Sequence, residues 1–167
     1  MVNLQNNMNK IMFGGGCFWG VQFYFDQIPG VTKTLVGYSG GHTNNPTYED
    51  VCTHNTGHAE VVYLEYDENK VSFETLLKQF FRMHDPTQLN RQGPDIGDNY
   101  RSVIYYYDEK QHELANKILN EVQKNFENKI VTEIAPAKEF FVAEDYHQKY
   151  AEKTGRGMCH VDYSPVA

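Results

Sequence analysis

Residues 12–25 read MFGGGCFWGVQFYF, and the order of residue types in this stretch decides how the chain begins to fold. "KIMFGG", Lys10 to Gly15, has the look of a short buried strand ending in glycines. From Phe18 onward the apolar positions Phe18, Val21 and Phe25 fall at helical spacing. A strand therefore meets a helix across Gly14, Gly15 and Gly16, with Cys17 at the junction. Glycines there tolerate any φ and let a ligand approach the backbone. A cysteine at a helix N-terminus faces unpaired N–H groups and the positive end of the dipole, which draws a thiol towards its thiolate. The junction suits a nucleophile. The alternative is that Cys17 is a small buried hydrophobe in a tight strand-helix turn. A phosphate-cradling loop does not fit, because the Lys-Ser/Thr ending and the dinucleotide spacing are both missing.

Working outward, "VTKTLVGYSGG" (Val31 to Gly41) is β-branched, alternating and closed by Gly-Gly, and "HAEVVYLEYD" (His58 to Asp67) is a second strand. "SFETLLKQFFRMH" is a helix with Ser72 as N-cap, and "DEKQHELANKILNEVQKNF" is another with Asp108 as cap. "SVIYYY" and "VTEIAP" are strands. The order βαβ, βαβ and an extra strand predicts an α+β, two-layer sandwich with a split βαβ (ferredoxin-like) core, its mixed sheet covered by helices. A single catalytic domain over 1–167 is expected, with a core at about 10–136 and a C-terminal tail at about 137–167. The polar stretches at 42–57 and 85–101 are expected to be long loops, which in compact domains are usually functional.

Composition narrows the class. The net charge is −7 and no Lys/Arg cluster follows a phosphate-binding pattern, which argues against nucleic acid. "MVNLQNNMN" is not a secretory signal and no stretch reaches the ~20 apolar residues of a membrane span, so a cytoplasmic, soluble monomer is expected. Three cysteines, Cys17, Cys52 and Cys159, do not make a secreted disulfide framework.

Other residues give Cys17 a context. Phe18 and the chain's single tryptophan, Trp19, are large rings beside the thiol and form either an apolar slot for a methyl-sized group or part of the core. Glu60 shares a strand face with Val62 and Leu64, so its carboxylate begins an apolar row. Partial desolvation there raises its pKa and keeps it protonated as a general acid; the alternative is a strand-end Glu in solvent. Tyr48 in "NPTYE" and Tyr100 in "GDNYRS" could present phenolic donors next to it. A cysteine hydrolase would instead need a histidine base, for which His58 or His84 could serve, and a peptide-binding module would leave Cys17 inert.

The segments "GGGCFWG", "GYSGG", "NPTYEDVC", "TGHAEVV", "HDPT", "NRQGPDIG" and "YRSVIYY" follow in that order from about Lys10 to Tyr107. Together they resemble the A-type peptide methionine sulfoxide reductases over more than half of the chain. The resemblance implies an α+β sandwich and thiol-dependent reduction of methionine S-sulfoxide, in repair of oxidised proteins, without cofactor or metal. It implies that Cys17 attacks sulfur and that Glu60, Tyr48 and Tyr100 hold the sulfoxide oxygen and supply a proton. It further implies that Phe18 and Trp19 enclose the ε-methyl, and that Asp95 supports substrate positioning or the polar network. Cys17 is then left as a sulfenic acid. In relatives that recycle through a C-terminal cysteine, an internal disulfide forms and thioredoxin opens it. Cys159, in an aperiodic segment expected to be mobile, is the proposed resolving residue, with Cys52 as the second choice. A metal site from Cys52, His54, Cys159 and His160 lacks the tight paired spacing of zinc ligands. The departures from the family pattern are Asp98 and Asn99, where Thr-Gln is common, and His54, where Gly is frequent.

Overall fold

A computed structural model describes residues 8–157. In chain order the elements are β1 (Met8–Gly14), α1 (Phe18–Asp26), β2 (Val31–Ser39), α2 (Tyr48–Cys52), β3 (Ala59–Asp67) and α3 (Phe73–Met83). Then come the two-residue strands β4 (Arg91–Gln92) and β5 (Asp95–Ile96), followed by β6 (Val103–Tyr106) and α4 (Glu109–Val122). β7 (Glu133–Pro136), β8 (Phe141–Val142) and α5 (Tyr150–Thr154) end the described chain.

Six strands form one mixed sheet in the order β7-β6-β1-β3-β2-β8, in which only β6 and β7 run parallel. The period of two sorts each strand's residues. Ile11 and Phe13 of β1, Val36 and Tyr38 of β2, Val62 and Leu64 of β3, and Ile104 of β6 face the helices. They pack on Phe18, Val21 and Phe25 of α1, Leu76 and Phe80 of α3, and Ala115 and Ile118 of α4. Phe80 is fully buried and stacks on Phe13 with ring centroids 4.7 Å apart. Phe80→Ala is expected to cost about 3–5 kcal/mol of stability, measured by denaturant unfolding, because neighbouring rings cannot collapse into the cavity.

The opposite face is covered by chain, not helix. Met12, Val61, Val103 and Tyr105 lie beneath Ala135, Ala137 and Phe140. After β7 at one edge, the chain crosses this face and pairs as β8 with β2 at the other edge. Beyond β8, the Gln148 side chain continues the pairing: it accepts from the Val36 N–H and donates to the Val36 carbonyl, both at 2.9 Å. The segment after Pro136, read only as the start of a C-terminal tail, thus adds an edge strand to the sheet.

The predicted caps are present. Ser72 accepts from the Thr75 N–H at 3.0 Å and Asp108 from the Gln111 N–H at 2.8 Å. The stretches read as loops hold more structure than their composition suggested. Thr47 and Asp50 form a reciprocal capping box that starts α2, a helix of five residues, too short to show periodicity. Residues 85–101 contain the β4–β5 hairpin and a single 3₁₀ turn, Asp98–Tyr100. The last long helix stops at Val122, before a 3₁₀ turn at Gln123–Asn125.

Candidate active site

Cys17 is the N-cap of α1 and is half-buried. At the end of β1, Gly14 comes so close to its neighbours that an added Cβ would meet Val103 Cγ2 at 2.7 Å and the Glu60 carbonyl oxygen at 2.9 Å. That close passage lets the first turn of α1 lie over β3. The Phe18 N–H, one of the orphan donors at the helix start, donates to Glu60 Oε1 at 3.2 Å.

Glu60 pairs with Tyr38 in the sheet register and, with 1% exposure, is more deeply buried than its sequence position implied. Besides Phe18, it receives the Asn99 side-chain amide, whose Nδ2 donates to Oε2 at 3.2 Å. Burial pushes the Glu60 pKa up to about 8, against the lowering pull of the Phe18 and Asn99 donors and with help from the charge of Asp95. The group is therefore a neutral carboxylic acid at pH 7. Asp95 is half-buried on β5.

Tyr48 opens α2 and Tyr100 closes the 3₁₀ turn Asp98–Tyr100, so each stands on a short ordered element. Burial, followed by the Glu60 charge, raises both phenol pKa values, that of Tyr100 to about 12. Both stay hydrogen-bond donors at any physiological pH. Tyr100 also acts electrostatically on Tyr48, as does the exposed Cys52 thiol. Glu60, Asp95, Tyr48 and Tyr100 thus share one electrostatic neighbourhood beside the start of α1.

Phe18 is fully buried and tilted against Tyr38, whereas Trp19 remains partly exposed. Trp19 stacks on Tyr150 at 3.9 Å and donates its indole N–H to His147 Nδ1 at 2.9 Å. Phe18 therefore belongs to the core. Cys159 lies outside the described residues, as does His160; the chain leaves the described region at Gly157, which packs against Trp19.

Three side chains here escaped the sequence reading. Asn99 was noticed only as a departure from a pattern. Glu144, from the segment after β8, accepts from the Tyr48 N–H and from the Tyr38 hydroxyl, both at 3.0 Å. Its pKa is lowered on balance: burial alone would raise it, but these donors outweigh that. His147 sits in "AEDYHQ", where a histidine next to a tyrosine and two acids was the available signal.

The histidines nominated for hydrolase chemistry are engaged with scaffold groups. His58 Nδ1 accepts from the Gly41 N–H at 3.0 Å, and its Nε2 lies 2.7 Å from the Thr43 carbonyl oxygen. His84 bridges the Phe80 carbonyl and the Ser102 hydroxyl, both at 2.7 Å. Among the described residues no group of three His, Cys, Asp or Glu side chains is placed to hold a metal ion, and no helix is long and apolar enough to cross a membrane.

Comparison with known proteins adds an independent line. A peptide methionine sulfoxide reductase from Brassica napus is 56% identical over 144 residues, 86% of this chain and 56% of its own length. The chain thus spans little more than half of that relative. One from Alkaliphilus metalliredigens is 51% identical over 155 residues, 93% of this chain and 98% of its own. The reduced form of Mxr1 from Saccharomyces cerevisiae superposes with a TM-score of 0.87 at 34% identity, covering 91% of this chain and 88% of that one. The same yeast protein in complex with Trx2 gives 0.63 at 26%, covering 90% of each. The family model for peptide methionine sulfoxide reductase matches residues 9–167, nearly the whole sequence. With the thiol at a helix start and the neutral carboxyl beside it, this places the chain in the peptide methionine sulfoxide reductase family.

Proposed function

We propose that this chain, as one catalytic domain, reduces methionine S-sulfoxide, free or in proteins, back to methionine and so repairs oxidised proteins. The observation that carries the reading is the hydrogen bond from the Phe18 N–H to buried Glu60. It ties a neutral proton donor to the residue next to the candidate nucleophile, Cys17. A sulfoxide sulfur becomes electrophilic only when its oxygen is hydrogen-bonded or protonated. Cys17 attacks as thiolate, forming a sulfur–sulfur bond, while Glu60 gives its proton to the sulfoxide oxygen and the Tyr48 and Tyr100 hydroxyls hold that oxygen. The intermediate then collapses: the sulfur–oxygen bond of the sulfoxide and the new sulfur–sulfur bond both break as the hydroxyl passes to Cys17, which is oxidised by two electrons to the sulfenic acid, and methionine leaves reduced by two. Asp95 raises the proton affinity of Glu60 through its charge. Phe18 and Trp19 take the ε-methyl, which sets the choice of sulfur epimer.

For recycling, the Cys159 thiol condenses with the sulfenic acid, releasing water and forming a disulfide that thioredoxin opens by exchange. Gly157 supports this route: an added Cβ there would come within 2.8 Å of Trp19 Cε3, so the chain passes over the site two residues before Cys159. Cys52, with its thiol pKa raised by burial, is the weaker candidate. We infer a monomer in the cytoplasm, a compartment whose reductants keep thiols reduced. The order β6-β1-β3-β2 within the sheet supports reading the core as a split βαβ arrangement.

The test is turnover of the two separated epimers with dithiothreitol, followed by intact mass under non-reducing conditions. Consumption of the S epimer alone is expected; consumption of neither overturns the reading. Cys159→Ala is expected to keep dithiothreitol-supported turnover within about 2-fold, while losing the two-hydrogen mass decrease and roughly 10²-fold or more of thioredoxin-supported rate, because no intramolecular disulfide is presented for exchange.

A further inference from the structure

The Glu60 carboxyl is gripped at both oxygens. The Phe18 N–H reaches Oε1 from α1, and the Asn99 amide nitrogen reaches Oε2 from the 3₁₀ turn Asp98–Tyr100, each at 3.2 Å. The first donor is backbone, so any residue but proline at position 18 supplies it. The second is a side chain and depends on the residue at position 99. Asn99 is fully buried, as is the carboxyl it meets. Its amide carries a second N–H, and the same side chain lowers the Tyr100 phenol pKa against the effect of burial. Asn99 therefore bears on two of the groups proposed to handle the sulfoxide oxygen.

The turn that carries Asn99 is fixed from two directions. Arg101 Nη1 donates to the Asp98 carbonyl at 2.8 Å, and its Nη2 to the Gly57 carbonyl at 2.9 Å, three residues before Glu60. His54 Nδ1, from the loop after α2, lies 3.5 Å from Asp98 Oδ1. Gly97 passes so close to the other end of the amide that an added Cβ would meet Asn99 Oδ1 at 2.5 Å. That oxygen is buried and makes no hydrogen bond among the described residues. An unpaired buried carbonyl is costly, and a leucine of similar shape would avoid it, so stability alone does not account for an amide here. What the amide supplies and leucine does not is the donor to Oε2.

We propose that Asn99 is a positioning residue for Glu60: its N–H end holds Oε2 from the fixed turn, so that the carboxyl keeps the orientation in which it hands its proton to the sulfoxide oxygen. This rests on the reading of Glu60 as the proton donor. The same bond eases ionisation of the acid, because an amide N–H is a better partner for a carboxylate than for a carboxylic acid. The other titratable groups around Glu60 are Asp95 of β5, Tyr38 of β2, Tyr48 and Cys52 of α2 and Tyr100 of the turn, while Cys17 heads α1 one residue before Phe18. Variants at position 99 keep all of these.

The test is the single-turnover rate of Asn99→Leu on the S epimer from about pH 6 to 10, in the wild-type and the Glu60→Gln backgrounds. Leucine keeps the volume and removes the donor. The rate below the alkaline limb is expected to fall about 10-fold, since a misplaced acid transfers its proton less well. The limb itself is expected to move up by about 1 pH unit, the effect of one lost hydrogen bond to a charged group. In Glu60→Gln, where no proton is given, the same substitution is expected to cost less than about 3-fold. A limb that stays in place or moves down overturns the proposal. An equal loss in both backgrounds shows a purely structural role and overturns it too. Should Asn99→Leu not fold in a thermal melt, Asn99→Ser, whose hydroxyl ends a bond short of the amide nitrogen, is read by the same criteria. A wild-type protein inactive on both epimers, or one without an alkaline limb, overturns the reading of Glu60 instead. The denaturant midpoint against pH then still decides whether Asn99 holds the carboxyl: its decline is expected to end about 1 pH unit higher in Asn99→Leu than in wild type, and an unmoved end point shows that it does not.

Discussion

Cys17→Ser is expected to turn over neither epimer of methionine sulfoxide, a loss on the order of 10⁴-fold or more, because removing a nucleophile removes the whole covalent route. The hydroxyl is a far weaker nucleophile than a thiolate. The fold is expected to survive, since Cys17 is the N-cap of α1 and serine is a favoured residue at that position. Methionine release in a single turnover, measured beside a thermal melt, checks both halves. A serine variant that retains a tenth of the wild-type rate would mean that another group attacks sulfur.

Glu60→Gln is expected to lower single-turnover rates by about 10²–10⁴-fold, the usual worth of a general acid. Glutamine still donates a hydrogen bond but has no proton to give. The pH profile carries the sharper signature. With a folded pKa near 8, the neutral donor prevails below that value and is lost above it, so the wild-type rate should fall as pH rises through about 8. The glutamine variant should lack this limb. Stability follows the same group. The folded pKa lies above the unfolded one, so the native state holds a proton that the unfolded chain releases. The contribution of Glu60 to stability is complete below about 4.3, declines as pH rises, and is lost once pH passes about 8. Relative to wild type, Glu60→Gln should therefore gain stability between those limits, read from denaturant midpoints at several pH values. A wild-type rate that is flat from pH 7 to 9.5 would remove Glu60 from the proton-donor role.

Both predictions change a residue within the first sixty, and how far each was legible follows from how the site is built. Cys17 was legible because its setting is local: a strand, three glycines and a helix appear within one short window. Glu60 was legible because a strand's period of two places it in the row of Val62 and Leu64. The depth of its burial was not legible, because the start of α1 closes over it from 42 positions away. Asn99 looked like an ordinary loop residue, yet it is fully buried against that carboxyl. α2 went unread because a capping box, not an apolar stripe, starts it.

By itself, then, the sequence determined the strand-helix junction at Cys17, the face on which Glu60 lies, and the order of the principal strands and helices. Each of these is set by residues close together in the chain, through periodicity, caps and glycine. Only the tertiary structure decided that the segment after Pro136 crosses the sheet, adds an edge strand, and brings Glu144 and His147 onto Tyr48 and Trp19. The contact between Trp19 and His147 joins residues 128 positions apart. Strand order and the packing of the closed core choose such partners, and no local pattern records them.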